Sequence, residues 1–84
     1  MYDCLITFRS VMPAQRAESV LRGQTVDCAV QRTPKWMENQ GCGYSLRLGC
    51  ANLPLAVQLL QKHNIAYRKL YRRGREGKLE EMQL

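Results

Sequence analysis

An 84-residue chain, 45% hydrophobic and 24% charged, is long enough for one globular core and too short for two. Its formal net charge of +6 suits an acidic partner or nucleic acid without selecting either. No apolar run approaches the roughly 18–20 residues that span a bilayer, so no membrane segment is expected.

The opening Met1-Tyr2-Asp3-Cys4 carries neither the basic region nor the cleavage site of a secretory leader. The expectation is a cytoplasmic chain whose four cysteines are reduced thiols. Cysteines at 4, 28, 42 and 50 with one histidine lack the close pairs of a zinc ribbon or finger, so no metal is expected.

Residues 2–8 alternate, with Tyr2, Cys4, Ile6 and Phe8 opposed to Asp3, Leu5 and Thr7. Apolar groups on both faces predict a central strand with Cys4 as a buried, inert thiol. Ser10 is a suitable N-cap, Pro13 fits a first helical turn, and Gly23 a C-terminal stop. A helix over 11–22 follows, burying Ala14, Ala17, Val20 and Leu21. A second strand covers 25–32, with Val26, Cys28 and Val30 on one face. Pro34 breaks the pattern, and residues 33–40 read as a loop in which Trp36 and Met37 cover an end of the core, the alternative being an exposed docking patch.

Tyr44, Leu46 and Leu48 oppose Ser45 and Arg47 in a third strand. Gly49-Cys50-Ala51-Asn52 turns into a second helix over 53–63, with Pro54 near its start and Leu53, Ala56, Val57, Leu59 and Leu60 inward. His63 falls in the last turn, where a cation suits the helix dipole. Residues 65–72 form a fourth strand whose lysine and arginines suit a sheet edge. The chain from 74 to 84 lacks a buried face and reads as a basic, polar, mobile tail, leaving 1–73 as the domain.

Strand, helix, strand, strand, helix, strand is the α+β order of the ferredoxin-like βαββαβ fold. It predicts a four-stranded antiparallel sheet with both helices on one face. There the first and third strands are central neighbours, so Arg9, Ser10 and the opening of the first helix adjoin the start of the third strand.

That neighbourhood singles out Cys42. Gly41 and Gly43 flank it and leave the sulfur open to close approach. Arg9 and the first-helix amides would favour the nucleophilic thiolate. The competing reading is a hairpin in which the glycines shape a turn and Cys42 is small apolar filler. Cys50, just before the second helix, is the second candidate thiol, at the far end of the third strand from Cys42; the competing reading is a plain turn residue.

The chain resembles the selenium/sulfur carrier-like family of small bacterial proteins over residues 4–72. The resemblance rests on Ile6-Thr7-Phe8-Arg9-Ser10, a helix with Ala14 and Glu18, and Cys42-Gly43 before Leu46-Arg47-Leu48. It continues through Leu53, Ala56, Leu59-Leu60, Asn64-Ile65 and Tyr71. The family's Asp-Pro start to the second helix is replaced here by Gly49-Cys50. Its serine-rich approach to the cysteine is replaced by Glu38-Asn39-Gln40-Gly41. The resemblance implies a carrier rather than an enzyme with its own turnover, needing no cofactor. Cys42 would hold sulfane sulfur or reduced selenium as Cys-S-SH or Cys-S-SeH between a donor and an acceptor protein. The bases Arg68, Lys69, Arg72 and Arg73 would dock the acidic partner.

Two rival classes remain at this level. Tyrosines among arginines in residues 67–73 suit RNA bases stacked on an exposed sheet. A small protein-interaction subunit, dimeric through a sheet face or edge, also fits the composition.

Overall fold

A computed structural model describes residues 3–33, 43–74 and 77–83. The sheet has five antiparallel strands: β1 (Cys4–Phe8), β2 (Cys28–Arg32), β3 (Tyr44–Leu48), β4 (Leu70–Arg73) and β5 (Leu79–Met82). Their spatial order is β2-β3-β1-β4-β5. Two helices, α1 (Val11–Gly23) and α2 (Leu53–Lys62), complete the α+β domain. None of the helices among the described residues is long and apolar enough to cross a membrane.

The core follows from strand alternation. Cys4 lies opposite Leu48, which lies opposite Cys28; Ile6 lies opposite Leu46, which lies opposite Val30. Ile6 and Leu70 extend this face into β4, and Met82 opposite Leu70 extends it into β5. These side chains form one cluster with Ala14, Ala17 and Leu21 of α1 and Leu53, Ala56, Val57 and Leu60 of α2. Burying each large aliphatic contributes about 1.5–3 kcal/mol. Of the predicted inward stripes, Ala14, Ala17, Leu21, Leu53, Ala56, Val57 and Leu60 are buried, and Val20 and Leu59 are partly buried against the core.

Both helices end in the same backbone motif. The N–H of Thr25 reaches the carbonyl of Arg22 and that of Val26 reaches Leu21. Asn64 and Ile65 repeat this with Gln61 and Leu60. Thr25 and Asn64 take the left-handed position, at φ of 61° and 56°. The glycine stop expected at Gly23 is thus displaced: Gly23 is the last helical residue, and a β-branched threonine adopts positive φ beyond it. Because that turn occupies Gln24 and Thr25, β2 begins at Cys28 and not at residue 25.

Two further expectations change at the C-terminal end. A four-stranded sheet with β4 at its edge was expected; β5 lies outside β4 and makes five. The segment expected to be a mobile tail contains this strand. Gly74 and Lys78 close the hairpin, with the Gly74 N–H on the Lys78 carbonyl at 2.7 Å. Met82 then joins the core beside Leu70. One apolar residue among charged neighbours has no period to read, so the strand emerges only from pairing. Regular β4 is also shorter than expected, starting at Leu70, although Arg68 and Lys69 already bond to Thr7.

Candidate functional site

β1 and β3 end together at one edge of the domain. Phe8, the last residue of β1, pairs with Tyr44, the first of β3, and Arg32, the last of β2, pairs with Tyr44 from the other side. Gly43 immediately precedes that junction, and its carbonyl accepts the Thr33 N–H at 2.9 Å. Gly41 and Cys42, with Trp36 and Met37, lie outside the described residues.

Arg9 and Ser10 follow Phe8 directly and are exposed. Ser10 occupies the N-cap of α1, as expected, but its side chain makes no capping hydrogen bond. No acidic residue lies in the first turn of α1 to offset its positive end. Arg9, Ser10 and Pro13 face Ala66, Tyr67 and Arg68 across an open cavity of about 410 Å³. The Arg68 N–H donates to the Thr7 carbonyl at 2.8 Å, which fixes this segment beside the end of β1.

Arg32 is a functional candidate that sequence reasoning passed over. Its guanidinium carbon lies 6.0 Å from the Tyr44 ring centroid, within cation–π range. The available signal was hairpin symmetry: the last residue of β2 must oppose the first residue of β3. Arg9, Arg32 and Arg68 thus all belong to the end of the sheet that Gly43 enters.

The four bases expected to dock a partner are spread along one segment beside β1. Arg68 lies at the Thr7 end, whereas Arg72 pairs with Cys4 and the Arg73 N–H donates to the Asp3 carbonyl at the other end. Lys69 forms an ion pair with Glu81 at 3.2 Å, and Glu80 lies opposite Arg72 in the register. The physical reason is β5, which brings its two carboxylates alongside β4. Of the tyrosines proposed as a stacking surface, Tyr67 packs against the core cluster, and Tyr71 lies opposite Leu5 in the register of β4 and β1.

The remaining cysteines occupy unlike settings. Cys28 is a free, fully buried thiol in β2. Burial pushes it above its ordinary value near 9.0, and the Glu18 carboxylate adds to the rise, while Arg22 opposes it. Cys4 and Cys50 are joined in a disulfide with their Cα atoms 5.1 Å apart. This corrects the inert free thiol expected at Cys4 and the free thiol considered as a second candidate at Cys50. Strand pairing explains it: Leu48 sits opposite Cys4, so the chain leaving β3 turns back across the end of β1 at Cys50. Cys50 and Gly43 lie beyond opposite ends of β3.

No curated protein and no solved structure matches the chain. The profile of one family, described as "Putative Se/S carrier protein-like", matches residues 3–72, from just before β1 into β4. The chain belongs to that family.

Proposed function

We propose that this protein carries sulfane sulfur or reduced selenium on Cys42, taking it from one protein and delivering it to another. Family membership is the observation that carries the reading, because Cys42-Gly43 falls inside the matched span. The surroundings of Gly43 support it. Tyr44, two positions after Cys42 in the sequence, pairs with Phe8 at the end of β1. Arg9, Arg32 and the uncapped start of α1 supply positive charge to that end of the sheet. The other cysteines support it from the opposite direction, since Cys4 and Cys50 share a bond and Cys28 is sealed in the core.

The transfer is an exchange at sulfur with no net oxidation. The Cys42 thiolate attacks the terminal sulfur of a donor persulfide, R–S–SH. The bond between the two donor sulfurs breaks, giving Cys42–S–SH and the thiolate R–S⁻. A donor R–S–SeH gives Cys42–S–SeH in the same way. Delivery repeats the step with an acceptor thiolate attacking the terminal atom. Such a reaction needs an accessible thiolate and a docked partner, not a deep pocket.

Intact mass after incubation with a cysteine desulfurase and cysteine tests the proposal. The expected result is a gain of one sulfur that dithiothreitol removes and that Cys42→Ser lacks. An adduct of equal yield in Cys42→Ser, mapping to Cys28 or Cys50, would overturn the assignment.

A further inference from the structure

The Cys4–Cys50 pair has features that a purely structural crosslink does not require. Cys4 is held on both sides by the sheet, opposite Leu48 in β3 and Arg72 in β4. Cys50 is held without its sulfur: its N–H donates to Oδ1 of Asp3 at 2.7 Å, and the Asn52 N–H closes the following turn on the Gly49 carbonyl. Asp3 precedes Cys4 directly, so a hydrogen bond and a covalent bond join the same two segments side by side. That hydrogen bond does not involve the sulfurs, and the core cluster is held by many other side chains. These contacts would hold the two residues side by side in the dithiol as well.

The two residues differ in exposure. Cys4 is 1% exposed, whereas Cys50 is half-buried at the start of a short 3-10 turn leading into α2. We propose that this disulfide is a second reactive site, separate from Cys42, which exchanges two electrons with dithiols. An incoming thiolate attacks Sγ of Cys50. The Cys4–Cys50 bond breaks, and its electron pair leaves on Sγ of Cys4. The departing Cys4 thiolate forms among apolar side chains, which disfavour its charge, and it stays beside the mixed disulfide. It returns and remakes the original bond faster than a second independent thiol arrives. A dithiol escapes this reversal, because its second sulfur attacks its own mixed disulfide at high effective concentration. The sum is R(SH)₂ plus the protein disulfide giving cyclic RS₂ plus Cys4-SH and Cys50-SH. Sequence alone separates these residues by 46 positions, and only the fold makes them a couple.

The test uses the oxidised Cys42→Ser variant in native buffer, with dithiothreitol and glutathione compared at equal thiol concentration. Samples are acid-quenched, denatured, alkylated with N-ethylmaleimide and weighed. Dithiothreitol should raise the adducts from one, at Cys28, to three, with the new ones mapping to Cys4 and Cys50. Glutathione should act at least about tenfold more slowly. The far-ultraviolet circular dichroism should not change, and oxidised dithiothreitol should return the count to one. Resistance to dithiothreitol without denaturant, loss of the spectrum on reduction, failure to re-form, or equal rates with the two reductants would each overturn the proposal. Peptide mapping of the wild-type protein gives the same readout should the variant not fold.

Discussion

The Glu18 carboxylate of α1 accepts the main-chain N–H of Val30 in β2 at 3.1 Å. One turn further along the helix, the Arg22 guanidinium donates to the Cys28 carbonyl at 2.9 Å. β2 is an edge of the sheet, so these two side chains occupy the outward positions that another strand would fill. Glu18 and Arg22 also pair with each other at 3.7 Å. The helix thereby blocks an edge open to association with other chains.

Removing that block should be visible as both stability and association. Glu18→Ala leaves the Val30 N–H facing solvent and should cost about 1 kcal/mol, the lower range for a hydrogen bond to a charged group that is partly solvated. Sedimentation velocity should show more self-association, whereas Glu18→Gln, which keeps an acceptor, should remain close to wild type. Unchanged association in Glu18→Ala would mean that this edge is blunted by something else.

Thr7 makes a second contact of this kind, deeper in the sheet. Its Oγ1 accepts the Lys69 N–H at 3.0 Å and donates to the Lys69 carbonyl at 3.3 Å, in a residue only 2% exposed. Thr7→Val keeps the volume but leaves the Lys69 N–H without this acceptor. The expected loss is about 1–3 kcal/mol in urea unfolding, with Thr7→Ser retaining most of the stability.

Arg9→Ala should slow alkylation of Cys42 at neutral pH by about two- to threefold, the size expected from an exposed charge. Arg32→Ala should act in the same direction, and the two effects should shrink together in high salt. A rate for Arg9→Ala equal to that of wild type would remove Arg9 from the proposed activation of the thiol.

Cys28 predicts an alkaline limb in the stability profile. Its native thiol titrates above the ordinary value of 9.0, so above pH 9.0 the unfolded chain releases this proton before the native protein does. The native state then binds more protons than the unfolded state, and stability falls as pH rises. The contribution is intact below pH 9.0 and is lost from there upward through the raised native value. Wild type should therefore lose stability relative to Cys28→Ala over that range. A constant difference from pH 7 to beyond 9.0 would contradict this account.

Local pattern determined much of this protein. Alternation in residues 4–8 and 44–48, prolines near both helix starts, and the apolar stripes of α1 and α2 recur in the structure because each depends on residues within a turn or two of one another. The pairing of β1 with β3 followed from element order and the handedness of crossovers. Family membership was equally legible, since it rests on residue identities.

Tertiary structure decided what depends on distant register. The Cys4–Cys50 bond needs Leu48 opposite Cys4, the Glu18 edge contact needs α1 laid along β2, and β5 needs Met82 seated beside Leu70. None of these leaves a periodic trace, because each joins one residue to a segment at least ten positions away. The Cys42-Gly43 motif lies between the two kinds of information. Its sequence marks the reactive candidate, and pairing of Phe8 and Arg32 with Tyr44 assembles the charged end of the sheet that Gly43 enters.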